Sequence, residues 1–218
     1  MISEPNPQLK KINELIDNAL PALIEIRRDL HQHPELGFEE HRTSSIVSDW
    51  LEQNDIEVKK GVAKTGVVGL LRGKSEGKTV ALRADMDALP ITEESGVPYS
   101  SLTPGKAHSC GHDGHTTILM GTAKILSQLR DTFAGNVKFV FQPAEEGGGG
   151  GDIMCQEGVL ENPKVDSIFA LHDWPDLRVG EVGIQYGPSM ASSNRFELTL
   201  YGRGGHAARP NLAIDPIV

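Results

Sequence analysis

The chain has 218 residues, of which 38% are hydrophobic and 23% charged, proportions typical of a globular protein. Its net charge of −9 and its lack of any Lys/Arg run argue against nucleic acid as a partner. No apolar run approaches the roughly 20 residues of a membrane span, so we predict no membrane partner. Two cysteines and a polar first stretch without an apolar signal core favour a reduced, cytoplasmic setting.

Hydrophobic periodicity predicts alternating helices and strands. Apolar residues at helical spacing predict helices over 8–32 and about 40–53, with Pro21 expected to bend or end the first. Short β-branched runs bounded by glycines predict buried strands in "TGVVGLLRG" and "KTVALRADMDA". Helix and strand then alternate through "HTTILMGTAKILSQL", "VKFVFQP", "GDIMCQEGVL" and "DSIFALHDW". This order predicts an α/β fold, a mostly parallel sheet with flanking helices.

The pattern changes toward the end of the chain. "SSNRFELTLYGRGGHAA" alternates like a half-exposed antiparallel strand, and "DPIV" is typical of a helix start. We therefore predict a catalytic domain over 1–184 and the start of a smaller α+β domain over 185–218. Because one strand and a helix stub cannot bury a core, we expect the chain to be a C-terminally incomplete fragment.

Four polar clusters lie beside predicted strand ends or a predicted helix start. Ligands in open α/β sheets bind at the carboxyl ends of the strands, so the shared location is more informative than any one cluster. The clusters are Asp85 with Asp87 after "TVALR", Cys110, His112, Asp113 and His115 in "HSCGHDGH", Glu145 with Glu146 after "VKFVF", and His172 with Asp173 after "SIFAL".

The stretch "CGHDGH" allows three interpretations. Cys110 and His112 are two residues apart, so both can face one metal ion from an extended chain. Alternatively, Cys110 is a small buried hydrophobe and its polar neighbours cap a helix. In a third interpretation, a helix N-terminus and two histidines activate Cys110 as a nucleophile. A metal site accounts for more of the surrounding acids than thiol catalysis does.

Glu145 and Glu146 stand between an apolar run and five glycines. Pro143 ends the strand and the glycines permit positive φ, so the pair need not point to opposite faces. Hydrolysis at a metal needs one carboxylate to hold the ion and another to take a proton from water. A charged surface turn is the alternative, although the apolar run leads straight into the pair. A phosphate loop is excluded, since "GGGGGD" lacks G-K-[ST].

Three further motifs have structural as well as functional interpretations. Asp85 and Asp87 share one side of an extended chain, but aspartate also caps turns. His31 and His33 end a long helix, where the helix dipole favours histidine, so we interpret them as structural. His206 follows glycines in "GRGGHAARP" and fits a binding role and a simple turn equally well.

Six motifs occur in the order "LHQHPELGFEE", "LRADMDALPI", "HSCGHDGHTT", "FQPAEEGGGG", "ALHDWP" and "GRGGHAARP". Together they resemble the amidohydrolase branch of the aminoacylase/carboxypeptidase metallopeptidase family. This branch contains hippurate hydrolases, N-acyl-amino-acid amidohydrolases and the auxin-conjugate hydrolases of plants. Six ordered motifs make the resemblance specific, and it extends from about Ile26 to Val218.

The resemblance implies a two-metal hydrolase of N-acyl amino acids, with a lid or dimerisation domain that forms a homodimer or homotetramer. The implied metal ligands are Cys110, His112, Glu146 and His172. Glu145 would be the general base, Asp87 would orient a ligand, and His206 would steady the scissile carbonyl or the substrate carboxylate. Two divalent ions per subunit are implied, with Mn²⁺ favoured over Zn²⁺, Co²⁺ and Ni²⁺, which also suit these donors.

Three features depart from the pattern of the family. Asp85 stands where the wider family has a histidine ligand, and the Cys110 thiolate is expected to compensate. Asn211 follows "ARP" where many members of the branch have a second histidine. The remaining histidine ligand is expected beyond Val218. An inactive metal-binding or interaction fragment is therefore the alternative to an active amidohydrolase.

Overall fold

The computed structural model describes residues 7–192 and 196–217. The chain divides into two compact units, one ending at Trp174 and the other beginning at Pro175. The helices are α1 (Pro7–Gln32), α2 (His41–Gln53), α3 (His112–Gln128) and α4 (Gly150–Gln156), with 3-10 turns at Arg130–Thr132 and Pro210–Leu212. The strands are β1 (Glu57–Val62), β2 (Gly66–Arg72), β3 (Thr79–Asp85), β4 (Asn136–Gln142) and β5 (Ser167–Ala170).

The five strands form one sheet in the order β1-β2-β4-β3-β5. β3 pairs in parallel with β4 and with β5, whereas β2 pairs antiparallel with both β1 and β4. Four of the five strands therefore point the same way, which confirms the predicted mostly parallel α/β sheet. β1 was not predicted, because "EVKKGV" is largely exposed and lacks an apolar run.

The sheet separates two hydrophobic cores, since successive side chains of a strand point to opposite faces. Phe139 of β4 packs in one core with Leu51 of α2 and Met120 of α3. Its neighbour Val140 packs in the other core with Met154 of α4. Helices thus cover both faces of the sheet, and the carboxyl ends of the parallel strands lie at its edge.

Helices α1 and α3 pack against each other and are linked by ion pairs next to that edge. A Cβ added to Gly121 on α3 would lie 2.6 Å from Leu23 Cδ1 on α1, so the two helices approach closely there. Near the end of α1, His31 Nδ1 and Arg27 Nε each lie 2.7 Å from the buried Oδ2 of Asp113. These ion pairs tie α1 to the first turn of α3, in agreement with a structural role for His31.

Two helix boundaries differ from the sequence prediction. α1 continues through Pro21, so this proline does not end the helix. α3 begins at His112, three residues before the predicted start, because Gly111 adopts φ +76° and turns the chain into the helix. No helix in the described ranges is long and apolar enough to cross a membrane.

The strand predicted in the second unit is wrong where the structure describes it. Residues 196–200 form no strand, and residues 193–195 lie outside the described residues. Within the described part of this unit, the only β-pairing is an isolated bridge between Arg203 and Ile214, so no neighbour satisfies the backbone of a strand. Residues 215–217 form no helix either, with Val218 outside the described residues. The lid or dimerisation role of 185–218 stays a prediction.

Candidate metal centre

Three parallel strands end at one edge of the sheet and place polar side chains there. β3 ends at Asp85, β4 leads into Glu145 and Glu146, and β5 leads into His172. Four overlapping groups of side chains have potential metal-ligand atoms that lie within 4.8 Å of one another in each group. The groups are Cys110/His112/His172, Asp85/His112/His115, His115/His172/Asp173 and His112/Glu145/Glu146.

His112 belongs to three of these groups and is almost completely buried. Its Nδ1 lies 2.8 Å from the backbone oxygen of Asp87, so in the neutral ring Nδ1 holds the proton and Nε2 holds a lone pair. Nε2 is buried and has no hydrogen-bond partner among the described residues. It lies 3.7 Å from Asp85 Oδ2, 3.9 Å from Glu146 Oε1 and 4.0 Å from Glu145 Oε2.

These separations fit a shared metal ion better than hydrogen bonds. All three exceed the roughly 3.2 Å limit of a good hydrogen bond. Two ligand atoms about 2.1 Å from one ion are at most about 4.2 Å apart. Burial opposes the charged form of His112, but the hydrogen bond with Asp87 and the charges of Asp85 and Asp87 outweigh burial and raise its pKa. The surroundings of this buried nitrogen therefore favour a positive charge, as a cation site requires.

Asp85 and His115 form a hydrogen-bonded network beside His112. His115 Nδ1 lies 2.7 Å from Asp85 Oδ1, and Arg83 Nη1 donates to Asp85 Oδ2 at 2.7 Å. Burial acts to raise the pKa of Asp85, but the hydrogen bond of His115 and the charge of Arg83 lower it to about 2. Both oxygens of Asp85 already accept hydrogen bonds. This carboxylate is therefore better placed to orient His115 than to bind an ion by itself.

Asp87 connects His112 with the glutamate turn. Its Oδ2 accepts the backbone N–H of Glu146 at 2.9 Å, while its backbone oxygen holds His112 Nδ1. Burial acts to raise the pKa of Asp87, but His112 and the backbone N–H groups of Glu146 and Glu145 lower it. These contacts agree with the predicted role of Asp87 in orienting a ligand, which stays a prediction.

Glu145 and Glu146 point toward the same group although they are adjacent in sequence. One oxygen of each lies within 4.0 Å of His112 Nε2. Regular strand geometry would separate them, but the chain has left β4, and Ala144 adopts φ +50°. The two side chains differ in exposure, at 42% for Glu145 and 27% for Glu146. The better solvated Glu145 is thus the more accessible to a water molecule.

Cys110 and His172 complete the cluster. Cys110 Sγ lies 3.6 Å from His172 Nε2, and the His172 ring centroid is 6.1 Å from that of His112. Burial and the acidic groups of Glu146, Asp173 and Glu145 raise the pKa of the Cys110 thiol to about 12. A thiolate nucleophile is therefore disfavoured at neutral pH, whereas a bound cation would deprotonate a coordinating thiol.

The sequence assigned no role to three residues of the site, although two of them, His115 and Asp173, belong to the predicted polar clusters. His115 lies one helical turn after His112, a spacing that places both on one face of α3. Asp173 Oδ1 lies 3.0 Å from His115 Nε2. Arg83 precedes Asp85 by two residues on β3, which puts both on one side of the strand. The i, i+3 and i, i+2 spacings were visible in the sequence, but their partners depend on the sheet order.

His206 lies in the second unit, where its Nδ1 accepts the backbone N–H of Ala208 at 3.1 Å. This contact is local to the "GGHAARP" turn. A role of His206 toward substrate stays a prediction.

An α/β sheet with imidazole, carboxylate and thiol groups gathered at its carboxyl edge is the architecture of a metallohydrolase domain. Residues 81–216 match the profile of peptidase family M20/M25/M40, and the chain belongs to this family. The resemblance inferred from the six motifs is thereby confirmed.

Two curated relatives and a solved structure agree with this assignment. N-acetylcysteine deacetylase of Bacillus subtilis (strain 168) is 47% identical over 196 residues, which are 89% of this chain and 51% of the relative. N-acyl-L-amino acid amidohydrolase of Geobacillus stearothermophilus is 46% identical over 210 residues, 95% of this chain and 56% of the relative. The crystal structure of a Bacillus subtilis protein, described as a dinuclear metal-binding peptidase of family M20, matches this chain with a TM-score of 0.74 and 45% sequence identity. The match covers 77% of this chain and 46% of the solved chain. The chain spans about half the length of the curated relatives it matches.

Proposed function

We propose that this chain contains the metal centre and general base of an amidohydrolase that cleaves N-acyl amino acids into a carboxylate and an amino acid. The principal support is the buried Nε2 of His112, which has no hydrogen-bond partner among the described residues and faces two glutamates. Similarity to proteins named N-acetylcysteine deacetylase and N-acyl-L-amino acid amidohydrolase supports the substrate class.

The donor set fits two divalent metal ions. Cys110, His112, Glu146 and His172 would hold them, since thiolate, imidazole and carboxylate suit Mn²⁺, Zn²⁺, Co²⁺ and Ni²⁺; we favour Mn²⁺ from the family resemblance. When bound, such ions polarise the amide carbonyl and lower the pKa of the attacking water. The Asp87 carbonyl holds the Nδ1 proton of His112, so that Nε2 presents its lone pair.

Glu145 acts as the general base. Its carboxylate takes a proton from the attacking water, whose oxygen forms a bond with the amide carbon. As the C–N bond breaks, Glu145 passes the proton to the leaving nitrogen and returns to its charged form. Asp87 holds the N–H of the neighbouring Glu146, which keeps Glu146 available for the metal.

The remaining parts of the proposal concern the second unit and the assembly. His206 stabilises the developing oxyanion or binds the substrate carboxylate, an interaction worth about 3 kcal/mol in comparable sites. The 185–218 segment belongs to a lid or dimerisation domain of a homodimeric or homotetrameric enzyme. The cytoplasm remains our predicted location.

Hydrolysis of N-acetyl amino acids and hippurate by the Mn²⁺-loaded chain tests this function. We expect release of the amino acid, loss of the reaction with a chelator and recovery on adding Mn²⁺. Metal binding without turnover of any substrate would favour the inactive-fragment alternative. Turnover that resists the chelator would contradict a metal mechanism.

A further inference from the structure

Glu40 is a buried carboxylate that the proposed chemistry does not use. It lies immediately before α2 within the motif "LHQHPELGFEE" and is 0% exposed. Its hydrogen-bond donors are a backbone amide and a hydroxyl, and no ion pair to it occurs among the described residues. Burying a carboxylate without a cation is costly unless hydrogen bonds compensate.

Both oxygens of Glu40 accept hydrogen bonds from distant segments. Oε2 accepts the hydroxyl of Thr65 at 2.5 Å, and Oε1 accepts the backbone N–H of Ala144 at 2.8 Å. Burial raises the pKa of the Glu40 carboxyl, and these two hydrogen bonds act against that rise. The second bond reaches the residue directly before Glu145.

Ala144 has a backbone conformation that needs external support. Its φ of +50° lies in the left-handed region that non-glycine residues avoid. The residue is buried, and its Cβ occupies space that Gly37 and Gly148 leave free. A Cβ added to Gly37 would lie 2.9 Å from the Cβ of Ala144, and one added to Gly148 would lie 2.5 Å from it. Such conformations persist only where the surrounding structure imposes them.

Two carboxylates thus hold the turn on either side of Glu145. Glu40 accepts the N–H of Ala144, and Asp87 accepts the N–H of Glu146 at 2.9 Å. The residues that follow are five glycines, which would otherwise let the backbone adopt many conformations.

We propose that Glu40 is a positioning residue, which fixes the turn at Ala144 so that Glu145 and Glu146 both face His112. This inference rests on the proposed function of the glutamate pair. Glu40 acts through the backbone and binds neither metal nor substrate.

Hydrogen exchange of the metal-free chain tests the positioning directly. In Glu40→Met, which is similar in length but cannot accept the N–H, we expect the amides of 144–150 to exchange at least about 10-fold faster than in the unmodified chain. Thr65→Val is the matched control, since it removes the other hydrogen bond of the same carboxylate and leaves Ala144 held. Equal exchange of 144–150 in Glu40→Met and the unmodified chain would overturn the proposal.

Metal titration tests the consequence for the site. Loss of a residue that supports metal ligands typically lowers metal affinity by about 10- to 100-fold. We expect the Mn²⁺ affinity to fall by that factor in Glu40→Met but not in Thr65→Val. A faster-exchanging turn with unchanged Mn²⁺ affinity would overturn the inference. If the unmodified chain binds no Mn²⁺, the proposed function fails, and hydrogen exchange alone decides whether Glu40 holds the turn.

Conservative variants keep the test valid if Glu40→Met does not fold. Glu40→Gln retains one oxygen for the Ala144 N–H and can donate to the Thr65 hydroxyl, so Mn²⁺ affinity and protection of 144–150 should remain near those of the unmodified chain. Glu40→Asp keeps the charge but withdraws the oxygens by one methylene, and both properties should fall. If Gln and Asp behave alike, Glu40 has only a general structural role.

Discussion

The ionisation of single side chains decides which chemistry the site supports. Burial, together with the neighbouring acidic groups, raises the pKa of the half-buried Cys110 thiol to about 12. Burial acts to lower the pKa of His112, but the neighbouring carboxylates outweigh burial and raise it, so they favour its positive charge. Negative charge around the cluster contributes to both shifts, and a divalent cation would relieve it.

Alkylation with iodoacetamide checks this electrostatic account. Since only the thiolate reacts, we expect Cys110 of the metal-free chain to be labelled much more slowly at pH 8 than the exposed Cys155. Mass spectrometry of the two cysteine peptides after a short pulse measures the rates. Faster labelling of Cys110 would contradict the account and favour the thiol-nucleophile interpretation.

At the scale of secondary-structure elements, the start of α3 determines the placement of Cys110 and His112. Gly111 joins them with φ +76°, and a Cβ there would lie 2.4 Å from Asp173 Oδ1. Only glycine adopts this conformation without strain and also leaves room for Asp173.

Two alanine substitutions in this region should have opposite effects. Gly111→Ala introduces left-handed strain of about 1–2 kcal/mol and a clash with Asp173, so we expect a stability loss of at least that size and weaker metal binding. Gly114→Ala, at a helical position with nothing within 4 Å of the added Cβ, should stabilise by about 0.5–1 kcal/mol. Urea unfolding measures both, and a neutral Gly111→Ala would contradict the strain argument.

The contact between α1 and α3 should make stability depend on pH. The hydrogen bond to Asp113 outweighs burial and raises the pKa of His31. Burial acts to raise the pKa of Asp113, but His31, His108 and Arg27 lower it. The contribution of His31 to folding stability is present below the pKa of the unfolded state, about 6.5, and is lost as pH rises through the pKa of the folded state. The Asp113 contribution is present above about 3.9 and is lost as pH falls through its folded pKa.

The variant His31→Gln removes the imidazole from its contacts with Asp113 and with Glu93, whose Oε1 lies 3.0 Å from His31 Nε2. We expect it to destabilise the metal-free chain by about 1.5–3 kcal/mol at pH 5.5 and by clearly less at pH 8.5, as measured by urea unfolding. His33→Gln, which alters a more exposed histidine directly after α1, should change stability by less than about 0.5 kcal/mol. A loss for His31→Gln that is equal at both pH values would show that the contacts of His31 with Asp113 and Glu93 are not ionic.

At the scale of the whole molecule, the fold class and the clustering of the site could be predicted from the sequence. Alternating apolar periods identified α1, α2 and strands β2 to β5. Placement at strand ends, and at a helix start for His112, indicated that Glu145, His172 and His112 belong to one site. β1 was missed because a mostly exposed edge strand has a weak apolar pattern.

Other features depend on long-range contacts that a single sequence does not encode locally. The reversed direction of β2 follows from sheet pairing. The partners of Asp113 come from α1, some 80 residues earlier in the chain. The expected strand through Phe196 failed because alternation alone does not supply a pairing partner.

The division of roles between Glu145 and Glu146 is the central claim, and Mn²⁺ titration combined with an N-acyl amino acid hydrolysis assay tests it most directly. We predict that Glu145→Gln retains Mn²⁺ binding but abolishes hydrolysis. In contrast, Glu146→Gln should weaken Mn²⁺ binding by more than the roughly 10- to 100-fold that the loss of a residue supporting a metal ligand typically costs. Loss of Mn²⁺ binding in Glu145→Gln with retention in Glu146→Gln would show that the two roles are exchanged. Hydrolysis that survives in Glu145→Gln would contradict its role as the base.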